Sequence, residues 1–253
     1  MIIGIMGAMD EEIALYLEDM RNKVTVTKAG ITYHIGEYQG KKVVLCKSGV
    51  GKVNAAVCTQ ILIQEFQVSQ VIFTGVAGAV HPDLHIGDIV ISTDCMQHDI
   101  DATSLGFKPG EIPYEKTWCW IADDKLKELA MNAGRQLEDD IQIVTGRILS
   151  GDQFIADRQK VQQLSETFQA ACTEMEGAAV AQVCSMNEVP FVIVRAMSDC
   201  ADGSAQVNFL EFTQLASKRS YQMVSNMLHT MEKEGLNKNE SINGNCLFHK
   251  RLH

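Results

Sequence analysis

The chain opens on a continuous apolar run, residues 1–6, closed by Gly7, and passes directly into DEEIALYLEDMR, where Ile13, Leu15, Leu17 and Met20 include helical spacings. A buried strand feeding a helix is predicted there. VTVTKAG and ITYHIGEYQG alternate in the manner of half-buried strands, and KKVVLCKSG follows, with Gly30 and Gln39-Gly40 as turn punctuation. GKVNAAVCTQILIQEF reads as a helix and SQVIFTG as another buried strand. Beyond them the pattern predicts IGDIVISTDCMQ as strand, a long loop over 98–117, DDKLKELAMNAGRQL as helix and DIQIVTGRILSG as strand. RQKVQQLSETF as helix, a short strand near 171–173, GAAVAQVCSMNE as helix, a strand over 191–197 and a long helix over about 209–232 complete the series. Such alternation predicts an α/β fold: a single domain with a central mixed β-sheet flanked by helices. In 232–253 asparagines cluster and apolar periodicity fails, which predicts a tail outside the core.

Composition narrows the partners. The 253 residues are 46% hydrophobic, ample for a substantial core. With 32 acidic against 22 basic residues and a net charge of −10, the chain is repelled by phosphate backbones and anionic lipid, so neither nucleic acid nor membrane is expected as a partner. The eight cysteines fall mostly inside apolar runs and form no C-x-x-C pair, which reads as reduced, buried thiols. MIIGIMGAMDEE reaches acidic residues too early for a signal peptide, and no stretch approaches the roughly 20 apolar residues of a bilayer span. A cytoplasmic protein is the expectation.

Several motifs invite a chemical reading. SGVGKVNAA, residues 48–56, resembles a phosphate loop, but Val53 follows Lys52 where Ser or Thr is required, and Asn54 occupies the third glycine position of a dinucleotide fingerprint. It is either a tight strand-to-helix turn or a turn whose backbone also approaches a ligand. FTGVAGAV, residues 73–80, places small residues after an apolar strand, either as turn formers or as an open backbone edge where α/β sheets bind ligands. His81 and His85 have a metal-like spacing, but Pro82 lies between them and no third ligand follows at fixed spacing.

Carboxylates recur where strands end: Asp10, Glu11 and Glu12 after the first, Glu174 and Glu176 in CTEMEGAAV, and Asp199 after FVIVRAM. Singly, each could complement a helix dipole or cap a turn. Together, three acid-bearing strand ends on one rim suggest acid/base chemistry on a polar substrate. Glycosyl cleavage uses paired carboxyl groups in this way, one serving the leaving group and one activating water, with an oxocarbenium-like transition state that favours an anionic pocket.

IGIMGAMDEE (3–12), KSGVGKVNAA (47–56), TGVAGA (74–79), GDIVIS (87–92), SGDQFI (150–155), TEMEGAAVAQVC (173–184) and PFVIVRAMSD (190–199) resemble, in order and spacing, the 5′-methylthioadenosine/S-adenosylhomocysteine nucleosidases of the nucleoside phosphorylase superfamily. The resemblance spans about residues 1–231 as a nucleosidase domain and leaves 232–253 outside. It implies that Asp199 serves N7 of the departing adenine, that Ser198 holds that carboxylate, and that Glu12 is the general base for water with Arg195 nearby. Glu176 would grip the ribose hydroxyls beside its neighbour Glu174, Met175 would pack on the sugar, Phe154 would stack on adenine, the Ile155 backbone would read its edge, and Ala77 and Gly78 would lie beneath base and sugar. Met9, Val50 and Phe209 would form an apolar pocket for the 5′-alkylthio group, completed by Leu105, Phe107 and Pro113 of a partner subunit, which implies a homodimer. No metal or cofactor is implied. Val76 replaces a common serine near the water, and Leu105 replaces a common aromatic.

The residues also bear on three rival activities. A phosphorylase must bind a phosphate dianion, yet the first strand-end loop offers Asp10, Glu11 and Glu12 and no arginine. Two like charges about 5 Å apart cost roughly 3 kcal/mol at an effective dielectric near 20, about a hundredfold in affinity. A nucleosidase acting on futalosine or AMP would want polar partners at the 5′ end, and a non-catalytic nucleoside sensor would not need both Asp199 and Glu12.

Overall fold

The computed structural model of the protein describes residues 1–137, 140–200 and 205–245, the side chains of 200, 205–208 and 232–245 excepted. Strand β1 (Ile2–Gly7) enters helix α1 (Asp10–Asp19), and β2 (Arg21–Lys28), β3 (Ile31–Tyr38) and β4 (Lys41–Lys47) form an antiparallel meander. Then come α2 (Lys52–Gln64), β5 (Gln70–Ala79), β6 (Ile89–Gln97), β7 (Cys119–Ile121), α3 (Asp124–Gly134) and β8 (Ile143–Ser150). Helix α4 (Arg158–Phe168), β9 (Cys172–Glu174), α5 (Gly177–Met186), β10 (Phe191–Cys200) and α6 (Ala205–Asn245) complete the order. Asp123 caps α3 by accepting from Leu126 N at 2.9 Å, and Asp157 caps α4 by accepting from Lys160 N at 2.9 Å, so two helix starts are fixed by side chains the sequence places there.

The predicted mixed sheet is present, and its order is β10-β6-β8-β9-β5-β1-β4-β3-β2. Because β10 pairs with β5 as well as with β6, the five strands β5, β10, β6, β8 and β9 close into a ring. Strands β4, β1, β5 and β10 run parallel, which delivers their C-terminal ends to one rim. β9 runs antiparallel to β5, with Cys172 opposite Ala79 and Thr173 opposite Gly78, so it starts at that rim and carries Glu174 inward from it.

Helices cover both faces. Ala55, Cys58 and Leu62 of α2 and Ala178, Val180 and Ala181 of α5 pack with Phe73 and Ile193 on one side. Ile13 and Tyr16 of α1, Leu126 and Leu129 of α3, and Met223 and Met227 of α6 pack with Ile5, Ile72 and Val192 on the other. Each fully buried Leu, Ile, Val, Phe or Met among them contributes about 1.5–3 kcal/mol of transfer free energy, so the apolar runs that predict strands also secure the sheet between its helices. Cys46, Cys58, Cys95, Cys119, Cys172 and Cys184 are free thiols, as their placement in apolar runs predicts. Among the described residues no helix is long and apolar enough to cross a membrane.

Four elements differ from the sequence reading. Strand β7 is only three residues long and pairs with β6, too short to carry a periodicity signal. Both β5 and β10 run past their predicted ends, through Ala79 and Cys200, because the ring supplies each with partners beyond the apolar run. α6 continues to Asn245, past the point where the apolar pattern stops; no proline interrupts 205–245, and extending a formed helix adds hydrogen bonds without new nucleation. The remaining tail, 246–253, lies outside the described residues.

Candidate active site

Of the three acids that follow β1, only Glu12 turns inward: Asp10 pairs with Lys47 at the surface and Glu11 is exposed. Glu12 is the third residue of α1, and its carboxylate folds back over the helix start, Oε2 accepting from Ala8 N at 2.6 Å and Met9 N at 3.0 Å. Gly7 makes the fold possible, since a Cβ there would lie 2.9 Å from Glu12 Cβ. Oε1 accepts from Val76 N of β5 at 2.9 Å. Burial pushes the Glu12 carboxyl above its ordinary 4.5, an effect that Arg195 and the three backbone N–H groups only partly offset. A buried carboxylate near the helix start, held on three N–H groups, is suited to exchanging a proton.

Arg195 lies on β10 behind the rim, 1% exposed, its guanidinium carbon 4.0 Å from the centroid of the Phe73 ring. Burial alone would lower its affinity for a proton, but Glu174, Glu12 and Glu176 overcome that and hold the cation firmly. Its Nη2 donates to Glu174 Oε2 at 2.5 Å. Glu174 accepts in addition from Ser150 Oγ, from Gly177 N at 2.8 Å and from Glu176 N at 3.2 Å, so its carboxylate serves to anchor Arg195 and the start of α5. Nη1 of Arg195 has no hydrogen-bond partner among the described residues and faces Gly75. A Cβ on Gly75 would lie 2.2 Å from Glu12 Oε1 and 2.6 Å from Arg195 Nη1, so the bare face of that glycine is where the Glu12 carboxylate and the guanidinium approach each other.

The glycines of FTGVAGAV are therefore strand residues, not turn formers. Gly75 admits Glu12 and Arg195, and Gly78 admits Asp199, whose Oδ1 would be 2.9 Å from a Cβ at that position. Between Met197 and Asp199 the pairing of β10 with β5 slips: Met197 faces Ala77 and Asp199 faces Gly78, leaving Ser198 as the inserted residue of a β-bulge. A bulge re-aims the side chains around it, and here it turns Asp199 towards the cavity. Ser198 Oγ donates to Asp199 Oδ2 at 2.9 Å.

These groups line a cavity of about 310 Å³. Glu12, Glu174, Glu176, Ser198 and Asp199 supply its polar groups, and Met175 lines it together with Ala77 and Gly78 of β5. Met9, Val50, Phe154, Ile155 and Phe209 contribute apolar surface, the rings of Phe154 and Phe209 meeting edge-on at 5.6 Å between centroids. Val76 also lines it, as do Ala8, Gln153 and Thr173, which the sequence reading did not name. The signal available for those three was adjacency to named residues. Arg195 is not in the lining; its Nη1 lies against Gly75. Leu105, Phe107 and Pro113 take no part in this chain's own cavity; Leu105 is 70% exposed and Phe107 packs edge-on against Tyr114. His81 and His85 stay near the surface beside Asp83 and Asp88.

The glycine-lysine turn after β4 also has its answer. Glu176 Oε1 accepts from Gly51 N at 2.8 Å, and Asp152 Oδ1 accepts from Lys52 N at 2.9 Å. Carboxylates of the chain itself thus take the N–H groups that a phosphate would need at the start of α2. Burial, and then the neighbouring Glu174, push the Glu176 carboxyl well above its ordinary 4.5. A hydroxyl donor arriving at this carboxyl would favour its ionised form and draw its proton affinity back down.

The model of the phosphorylase superfamily matches residues 2–229. A protein of Tolumonas auensis named 5′-methylthioadenosine/S-adenosylhomocysteine nucleosidase is 41% identical over 229 residues, covering 90% of this chain and 99% of its own. The crystal structure of the Neisseria meningitidis nucleosidase of that name, in complex with methylthio-immucillin-A, superposes with a TM-score of 0.87 at 39% identity, over 90% of this chain and 99% of the other. A futalosine hydrolase mutant of Helicobacter pylori has a TM-score of 0.85 at 33% identity, over 90% and 98% of the two chains. With nine-tenths of its length matched at that level, the chain belongs to the phosphorylase superfamily and, within it, to the 5′-methylthioadenosine/S-adenosylhomocysteine nucleosidases.

Proposed function

We propose that the protein hydrolyses the N-glycosidic bond of 5′-methylthioadenosine and S-adenosylhomocysteine, releasing adenine and the 5-thio-substituted ribose, with no cofactor or metal. The observation that carries this reading is the approach of Glu12 and Arg195 at Gly75: a buried carboxylate of raised proton affinity beside a guanidinium N–H that has no partner among the described residues. A water between them donates to Glu12 and accepts from Arg195 Nη1, and is thereby polarised for attack on C1′. Asp199, steadied by Ser198, faces the other side of the reaction and stabilises or delivers the proton on N7 of adenine as the glycosidic bond lengthens. Glu176 accepts from the ribose hydroxyls, Phe154 and the Ile155 backbone take the base, and Met175 packs on the sugar. Positive charge developing on the ribose is favoured by the surrounding carboxylates.

Phosphorolysis fits less well. Arg195, the cation that reaches this cluster, is paired with Glu174, and the N–H groups at the start of α2 are already taken by Glu176 and Asp152. A second reading, hydrolysis of futalosine, is favoured by the likeness to the Helicobacter pylori enzyme; the apolar surface of Met9, Val50 and Phe209 at the 5′ end speaks for a thioether. Adenine release is measured from methylthioadenosine, S-adenosylhomocysteine and futalosine, with and without phosphate. Phosphate-independent release from the thioethers is expected. Strict phosphate dependence with ribose 1-phosphate as product, or turnover of futalosine alone, overturns the reading.

The protein acts in the cytoplasm as a homodimer in which Leu105, Phe107 and Pro113 of one subunit close the 5′ pocket of the other. Support comes from their position outside the chain's own cavity and from exposed Val53 and Val57 on α2 and Met186 on α5, an apolar face fit for a second copy. Light scattering that gives the monomer mass at micromolar concentration rejects it.

A further inference from the structure

Lys52 ends the glycine-rich turn, and the nucleosidase chemistry makes no use of it. Its Nζ donates to Asp99 Oδ1 at 2.6 Å and to Gln97 Oε1 at 2.9 Å. Both charged side chains are largely buried, at 17% and 14% exposure. The other oxygen of Asp99, Oδ2, accepts from the backbone N–H of Asp152 at 2.9 Å, and the Asp152 side chain accepts in return from the backbone N–H of Lys52. A closed circuit thus joins three segments far apart in sequence: the turn after β4, the end of β6 and the segment after β8.

Each of the two outer segments carries part of the cavity wall. Val50 stands two residues before Lys52, and Phe154 and Ile155 follow shortly after Asp152. The segment after β8 has neither helix nor strand to fix it over 151–157, so its course depends on contacts such as these. We propose that Asp99, which does not line the cavity, is a positioning residue for substrate binding: through Lys52 and Asp152 it locks the turn that presents Val50 to the segment that presents Phe154 and Ile155. Lys52 and the Asp152 N–H outweigh the effect of burial and hold its carboxyl below the usual 3.8, so the lock is closed throughout the neutral range. Glu12, Arg195 and Asp199 are mounted on α1 and β10 and are held by β5, outside this circuit. Opening the lock therefore costs binding more than turnover.

This inference rests on the nucleosidase reading for its kinetic arm, and a second arm is independent of it. Asp99→Ala, Asp99→Asn and Lys52→Met are compared with wild type for adenine release from methylthioadenosine and for hydrogen–deuterium exchange. Asp99→Ala is expected to raise KM by about tenfold or more with kcat within about threefold, since displacement of a positioning group acts on the bound geometry. Asp99→Asn keeps an acceptor oxygen and falls between. Exchange over 49–53 and 151–156 is expected to quicken in Asp99→Ala and Lys52→Met, while peptides of β5 and β10 stay protected. Unchanged KM together with unchanged exchange, or a loss of kcat at constant KM, overturns the assignment. If Asp99→Ala does not fold, the other two variants decide it by the same readouts. If wild type releases no adenine, the nucleosidase reading falls alone, and the exchange arm still decides the lock.

Discussion

Gly75→Ala tests the centre of the site with one methyl group. The added carbon would sit 2.2 Å from Glu12 Oε1, 2.6 Å from Arg195 Nη1 and 2.7 Å from Glu12 Cδ, so it cannot be accommodated where the side chains now lie. Neither can retreat freely: Glu12 is held on the N–H groups of Ala8, Met9 and Val76, and Arg195 is held by Glu174 against Phe73. The least costly response swings Oε1 off Val76 N and shifts the guanidinium. Each disturbed hydrogen bond to a charged group costs about 1.5–3 kcal/mol. Two of them amount to roughly 4 kcal/mol, or about a thousandfold in kcat/KM at 1.36 kcal/mol per decade. Part of the same strain is felt by the free protein, with a fall in Tm of about 5–15 °C for a chain of this size. The assay is adenine release at substrate concentrations below KM, paired with thermal unfolding. Gly4→Ala on β1 is the control, because its Cβ would meet Leu62 and Val68 at 3.4 Å, an ordinary contact. If Gly75→Ala keeps kcat/KM within about threefold of wild type at an unchanged Tm, the meeting of Glu12 and Arg195 at this glycine is not where catalysis depends on geometry.

Three further outcomes follow from the same geometry. Asp199→Asn loses most of kcat while a competitive nucleoside analogue still binds, as read by calorimetry; near-wild-type turnover removes Asp199 from the mechanism. Because burial raises the proton affinity of Glu12, its ionised, base-competent form is gained only above the ordinary 4.5, so kcat/KM in the free enzyme rises with pH through that higher value; an acidic limb centred at or below 4.5 contradicts the assignment. Glu176, raised by burial and by Glu174, binds its proton more tightly in the folded than in the unfolded chain, so its stabilising contribution is complete below pH 4.5 and is lost as pH rises through the folded value. Glu176→Gln keeps an acceptor for Gly51 N and is therefore expected to raise the denaturation midpoint of the ligand-free protein at alkaline pH while weakening nucleoside binding; a lower midpoint there refutes the stored strain.

Much of the molecule is written in local order. Apolar runs and helical spacings alone determined most of the alternating strands and helices, and the positions of Glu12, Glu176 and Asp199 after strands marked them as candidate acids, because periodicity and capping act between near neighbours. The resemblance then supplied roles for a set of residues that the fold gathers round one cavity, all but Arg195 and the three reserved for a partner subunit. Tertiary structure alone decided which acids reach the cavity. Asp10 and Glu11 stand next to Glu12 in sequence, yet only Glu12 finds N–H groups inside the fold. The same holds for the bulge at Ser198, which sets the aim of Asp199 through a register between β5 and β10, strands more than a hundred residues apart. It holds for Glu174, whose carboxylate finds Arg195, and for Lys52, whose ammonium finds Asp99. In each case the deciding quantity is desolvation or register, and both arise only when distant segments come together and exclude water.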